Sequence, residues 1–205
     1  MEASDSLALT GEAAPGTRAQ PLLCYEDELL FAADPRRCGA VFVDPVLRLV
    51  RSDGASLPYR LPYAARAALF ASDPAAEKGF SRGDVVYAIL DEAGALLHHS
   101  FVQRAAAVLP LLGEAGAAPL IGRCATAAAA RGRRLYPRTL RHIMAELAAT
   151  GEARAVIYCD RDNQASIRGI RHAGFAQVAH LRTLILGGRW ALQRRNPGGV
   201  RLIAL

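Results

Sequence analysis

Lysine is nearly missing from this chain: Lys78 is the only one, and the other strongly basic side chains are all arginine. Arginine stays charged in any environment and offers a planar fork of donors, so the positive charge here is of the kind that grips carboxylate and phosphate oxygens. Aromatic residues make up only 6% of the 205 residues. That is thin for interleaving stacked rings with basic side chains, and a nucleic-acid partner is not expected. No segment approaches the ~18 uninterrupted apolar residues of a spanning helix, so no membrane insertion is expected. The start, MEASDSLALTGEAAPG, lacks the basic first residues and long apolar centre of a secretory signal. The expectation is a soluble, cytoplasmic protein. Cysteine is confined to Cys24, Cys38, Cys124 and Cys159, without Cys-x-x-Cys spacing. Neighbouring residues of a strand face opposite sides, so His98 and His99 do not easily share one ion. Neither a metal site nor a disulfide scaffold follows, and the thiols are read as reduced.

What is present is enough for one core: 52% of the residues are hydrophobic. Residues 1–20 are small, polar and punctuated by Gly and Pro, the composition of a flexible tail, and 21–205 read as a single domain. The formal charge of +6 is concentrated. Between Glu114 and Glu146 there is no acidic residue, while Arg123, Arg131, Arg133, Arg134, Arg138 and Arg141 all fall there. Such a cluster reads as a site for a small, multiply charged anion.

Hydrophobic spacing orders the elements. LLCYEDELLF is an apolar segment with charges, CGAVFVDPVLRLVRSDG reads as one or two short strands, and these together form the first edge of a sheet. A helix from Tyr63 stops before Asp73-Pro74, and a loop holding Lys78 and Gly83 follows. Strands over 85–90 and 95–103 flank the turn DEAG. PLIGRCATA is a strand opening into the arginines. Leu140, Ile143, Met144 and Leu147 have the spacing of an amphipathic helix over 135–149, with Pro137 in its first turn and Gly151 beyond its end. ARAVIYC is a strand. Asp162 or Asn163 caps a short helix to His172 that Gly174 stops, and two strands follow around Gly187-Gly188, with VRLIAL as a last strand. The order predicts an α+β fold.

The segment CATAAAARGRRLYPRTLRHI resembles the acetyl-CoA pyrophosphate motif of the GNAT superfamily of N-acetyltransferases, a strand, an Arg/Gln-x-x-Gly-x-Gly/Ala loop and a helix. NQASIRGIRHAGF is similar to the family's second landmark, an asparagine-capped helix ending in Gly-Phe. The resemblance covers roughly residues 85–190. It implies a central, mostly antiparallel, twisted mixed sheet flanked by helices, and an acetyl-CoA or other acyl-CoA co-substrate with no metal. By resemblance Cys124, Ala125 and Thr126 offer a strand edge to pantetheine. Arg131, Gly132, Arg133, Arg134, Leu135 and Tyr136 form the pyrophosphate loop, with Asn163 and Ser166 reaching the CoA arm and Arg168 and Arg171 near its adenosine phosphate. The physical basis of the loop is independent of the family: a helix start presents unpaired N–H groups and a positive dipole end.

Two departures stand out. Arg134 and Tyr136 occupy positions where the family has glycine and glycine or alanine, and Ile170 occupies that of a tyrosine that protonates the leaving thiolate. Tyr136 and Tyr158 are the replacement candidates, and each also reads as ordinary packing. For a general base the candidates are His98 and His99, which border the acceptor cleft by resemblance, and Asp160 at the end of the next strand. The implied activity is acyl transfer to a small-molecule amine, such as an amino sugar or cell-envelope precursor, by direct attack on the thioester. Two alternatives stay open: a catalytically degenerate ligand-sensing or protein-interaction module, and a transferase using acyl carrier protein, whose acidic surface suits the basic segment. A homodimer is compatible with either.

Overall fold

Leu29, Leu30, Phe31 and Ala32 are apolar on both alternating faces, which suits a strand covered on both sides, and the computed structural model buries all four. The structure describes residues 23–38, 48–104, 106, 108–114 and 118–204. The expected tail over 1–20 and part of CGAVFVDPVLRLVRSDG lie outside the described residues.

Among the described residues, nine strands form one mixed sheet: β1 (Leu23–Ala33), β2 (Arg48–Ser52), β3 (Val85–Leu90), β4 (Leu96–Gln103), β5 (Leu120–Thr126), β6 (Ala155–Asp160), β7 (Ala176–Leu186), β8 (Trp190–Asn196) and β9 (Val200–Ala204). Their order across the sheet is β2-β3-β4-β5-β6-β1-β7-β8-β9. Neighbours are antiparallel except β5 and β6. This is the expected α+β class.

Two expectations are corrected. Only β2 forms the first edge; β1 is interior, antiparallel to both β6 and β7. An edge strand leaves one row of N–H and C=O groups unpaired, whereas a strand apolar on both faces gains more from a central place. Lys78 is not in a loop but in a short helix, α3 (Ala76–Ser81), preceded by α1 (Leu57–Arg60) and α2 (Tyr63–Ser72). The segment has too few apolar residues to show a helical period, and it is its packing on Phe101 that orders it.

The two long-range helices are α4 (Leu135–Ala149) and α5 (Gln164–His172). Leu140, Ile143, Met144 and Leu147 of α4 and Ile167 and Ile170 of α5 pack on Leu29, Phe31, Tyr87, Val102, Ile121 and Ile157, one face of the sheet. The opposite face carries α1 to α3 over Val86, Ala88 and Phe101, and residues 108–112 over Leu30, Val156 and Leu181. Gly187 and Gly188 both have positive φ, 56° and 64°, which lets the β7–β8 turn follow the strand twist.

Candidate functional site

β5 and β6 begin as a parallel pair but share only Leu120↔Val156 and Ile121↔Ile157 before they part. Beyond that point Cys124, Ala125 and Thr126 keep β4 on one side, His99↔Ala125 and His98↔Thr126, and leave their other edge to the gap. The register of β4 and β5 slips at Ser100, and Arg123 there has φ 51°. This bulge turns the Arg123 side chain away to Asp73 and Asp84, so that Cys124 faces α4 and α5.

The chain then rises from β5 into α4 through Gly132, φ 81°, and Arg134, φ 57°. Arg134 therefore adopts the left-handed conformation that glycine takes without strain, where an ordinary residue costs about 1–2 kcal/mol. Among the described residues, no backbone carbonyl accepts from the N–H groups of Arg134, Leu135 or Tyr136, and the first such bond of the helix runs from Arg138 to Arg134. A Cβ built on Gly132 meets nothing within 4 Å, so open space lies beside the loop. The mouth of the gap and this helix start enclose one cleft of about 910 Å3.

The structure gathers around that cleft Cys124, Ala125, Thr126, Arg131, Gly132, Arg133, Arg134, Leu135, Tyr136, Asn163 and Ser166, together with His98 and Arg168. Arg138 and Arg141 also line it, whereas Arg123 and Arg171 do not. Asn163 rather than Asp162 caps α5, its Oδ1 accepting from the Ser166 N–H at 3.0 Å. His99, Tyr158 and Asp160 lie elsewhere. His99 belongs to the opposite face with Phe101, its ring centroid 5.9 Å away. Tyr158 shares that face with Leu30 and Val156, and Asp160 stands beside Glu28 at the end of β6.

The two histidines are held neutral. His98 has Nδ1 2.7 Å from Thr126 Oγ1 and Nε2 3.0 Å from Ser100 Oγ. Burial pushes it down to about 3, helped by His99. Burial likewise lowers His99 to about 4, against the pull of Asp73. A group so hard to protonate is a weak proton acceptor near neutral pH, and His98 stands in the cleft wall with both ring nitrogens in hydrogen bonds. The thiols of Cys124 and Cys159 are pushed up to about 11 by burial, so neither is a ready nucleophile.

Tyr136 is held well above its ordinary value, first by burial, so its hydroxyl keeps its proton. That hydroxyl lies 3.4 Å from Ser166 Oγ. Ile170 is fully buried in the core, and the ring of Tyr136 instead crosses α5 one residue earlier, at Gly169.

Two residues not singled out in the sequence are Glu26 and Glu28 of β1. Burial raises Glu26 to about 7, reinforced by Asp160, and Glu28 to about 8, reinforced by Glu26 and Asp160. The signal available was their spacing of two, which places both on the face continued by the buried Leu30 and Ala32. Because the folded state favours their protonated forms over an ordinary 4.5, this stability is complete below about pH 4.5 and is lost as pH rises through about 8. Glu28→Gln is accordingly expected to gain on the parent between about pH 5 and about pH 9 by more than ~1.4 kcal/mol, the equivalent of one pKa unit. Urea unfolding of both proteins at the two pH values measures this, and parallel pH curves would contradict it.

Among the described residues there is no group of His, Cys, Asp or Glu able to hold a metal ion, and no helix is long and apolar enough to cross a membrane. No protein-family profile and no curated protein matches the sequence. Solved structures do. A putative acetyltransferase from the GNAT family of Novosphingobium aromaticivorans is 22% identical with a TM-score of 0.56, over 82% of this chain and 69% of that one. An acetyltransferase from the GNAT family of Colwellia psychrerythraea is 15% identical with a TM-score of 0.52, over 78% and 56%. A GCN5-related N-acetyltransferase of Sphaerobacter thermophilus is 13% identical with a TM-score of 0.54, over 87% and 53%. The likeness is one of fold, and the chain spans between about half and two thirds of the length of these proteins.

Proposed function

We infer that this chain, whose fold is that of the GNAT-family acetyltransferases, is an acyl-CoA-dependent N-acyltransferase that acts on a small-molecule amine. The observation that carries this reading is the joining of an anion cradle to a free strand edge. The helix start at Arg134 to Tyr136 opens into the same cleft as the unpaired side of Cys124 to Thr126.

The residues present fit such a co-substrate. Gly132 leaves room beside the loop, unpaired N–H groups meet phosphoryl oxygens at a helix start, and Arg131, Arg133 and Arg134 add forked cationic donors. The β5 edge pairs with an extended amide-bearing arm as it would with a strand. Bound there, an acyl-CoA supplies an activated acyl carbonyl and a thiolate leaving group. Tyr136, protonated and close to Ser166, donates toward the sulfur position, taking the part that Ile170 cannot. His98, neutral and fixed by Thr126 and Ser100, closes the wall of the cleft without adding charge. Direct transfer to the amine, with no acyl-enzyme stage, is consistent with two protonated, buried thiols.

Thermal melting with acetyl-CoA tests the first half of the reading. Ligand at about a hundredfold its Kd is expected to stabilise by about 2.7 kcal/mol. Arg131→Ala with Arg133→Ala is expected to weaken CoA about a hundredfold, since a hydrogen bond to a charged group contributes about 1.5–3 kcal/mol and these two are exposed. Unchanged CoA affinity would place the pyrophosphate elsewhere. Release of free thiol on addition of amines tests the second half. CoA binding without thiol release from any amine would favour a ligand-sensing module, the reading that the buried Ile170 also suits.

A further inference from the structure

Pairing across β1, β7, β8 and β9 lines up side chains in rows. Leu23, Leu186, Trp190 and Ala204 form one row, and Tyr25, Leu184, Leu192 and Leu202 form the next. Residues paired in register project from the same face of a sheet, so these two rows make one apolar surface. A third row, Asp27, Arg182, Arg194 and Val200, bounds it on one side. Further along β1 the same face carries Leu29 and Phe31, which are buried with α4 and α5. Over the first two rows no described element lies: Leu23 is 59% exposed, Trp190 48% and Leu202 62%. An antiparallel sheet with one face in water ordinarily turns its polar side chains outward. On β8 that alternation is inverted, with Gln193 buried and Trp190 and Leu192 exposed.

Size, composition and charge point to what covers this face. At roughly 200 Å2 for a fully exposed large side chain, the exposed fractions of Leu23, Tyr25, Leu186, Trp190, Leu192 and Leu202 amount to roughly 600 Å2 of apolar surface. That is the upper end of the largest patch on a typical monomer, about 300–600 Å2. With the arginine row it approaches the ~800 Å2 that each partner contributes to a standard interface. Tryptophan and tyrosine flanked by arginine, without lysine or glutamate, is the composition of an interface centre. Asp27 is already engaged by His180 and Arg161, so the face offers no free acid to a basic partner. An acidic partner would be matched by the third row alone.

A second copy matches both apolar rows, and charge selects its orientation. With a twofold axis along the strands, Arg182 and Arg194 would stand on the same two arginines of the partner, and like charges repel across an interface. With an axis crossing the strands between the two apolar rows, Trp190 lies over the partner's Leu192 and Leu202 over the partner's Ala204, large against small. Each arginine pair then falls beyond the apolar rows, over the other copy's turn at Gly187 and Gly188. We propose that the chain forms a homodimer through this β1-β7-β8-β9 face, the two sheets packed face to face about such an axis. The proposal does not depend on the acyltransferase reading.

Trp190 is the only tryptophan of the chain, so its emission reports whether the face is covered. Sedimentation velocity of the full chain between about 0.1 and about 100 µM is expected to show a dimer with a micromolar or tighter Kd. The Trp190 emission should move to the blue over the same concentrations. Leu192→Arg and Leu202→Arg change exposed positions, and each should raise the dimer Kd at least about a hundredfold and leave the emission red. Far-UV dichroism and a cooperative urea transition establish that these variants are folded. Arg182→Ser with Arg194→Ser should not tighten the dimer, and tightening of about tenfold or more would show the arginine rows face to face and overturn the arrangement. A chain that stays monomeric, alone or on phosphatidylglycerol vesicles, or folded arginine variants that dimerise like the parent, overturns the proposal. So does a monomer whose blue emission turns red on deletion of residues 1–20, which would assign the face to that segment.

Discussion

Arg123→Met is expected to destabilise the protein by about 3–5 kcal/mol, the cost of breaking a buried ion pair by removing one partner. The Arg123 guanidinium has Nη2 2.7 Å from Asp73 Oδ2 and Nη1 3.0 Å from Asp84 Oδ2, and the Asp84 side chain is only 3% exposed. It also stacks over Phe101, 4.1 Å from the ring centroid. Gly79 exists to admit this arrangement: a Cβ there would stand 2.4 Å from Arg123 Nη1 and 2.5 Å from Asp84 Oδ2. Removing the cation leaves Asp84 buried and uncompensated. Adding Asp84→Asn to Arg123→Met should therefore restore part of the loss, a coupling that urea unfolding of the four proteins in a double-mutant cycle would read. Strictly additive losses would show that the pair contributes nothing. Because Arg123 sits in the bulge that turns Cys124 into the cleft, the single variant should also weaken CoA.

Gly169→Ala is expected to lower acetyl transfer about a hundredfold, the lower range of what a positioned acid or base contributes. A Cβ at this position would fall 2.5 Å from Tyr136 Cδ1 and 2.9 Å from Cε1. Those are ring atoms held between α4 and α5, so the ring must shift and the hydroxyl with it. In an exposed helix the same change would stabilise by about 1 kcal/mol. Here overpacking costs about 1–3 kcal/mol and should reverse the sign. The expected pattern is a lower melting temperature, a large fall in kcat and CoA affinity changed less than about tenfold. A variant with full activity and higher stability would show that the hydroxyl is not needed where it lies.

The elements with strong local signals were legible in advance. The helix over Leu135–Ala149 follows from four apolar residues at helical spacing, and the strands at Val85–Leu90 and Leu96–Gln103 from β-rich runs about a glycine turn. The arginine-rich loop was legible for the same reason, since its residues are consecutive. Arg123 shows where that logic stops. By sequence it belongs with the cationic cluster, yet a single left-handed residue turns it to the other face, where it neutralises Asp73 and Asp84. Charge counted along the chain carries no information about which side of a sheet a side chain faces once a bulge intervenes.

The protonation of buried side chains was not legible in the sequence for a related reason. His98 and His99 have the right intrinsic range, but their burial on opposite faces lowers both. Glu26 and Glu28 have the wrong intrinsic range, and burial raises both toward neutrality. Desolvation depends on what covers a group, and here the covering comes from strands distant in sequence.

By itself, then, the sequence determined the α+β class, most of the elements and the position of the arginine-rich loop, because each rests on contacts between residues close in the chain. The tertiary structure decided the rest. It placed β1 between β6 and β7 rather than at the edge, turned Arg123 out of the cationic cluster, set Tyr136 against Gly169 and buried two glutamates of β1 beside Asp160. Each of these depends on strand pairing and burial across more than 30 residues of chain, where local propensity has no reach.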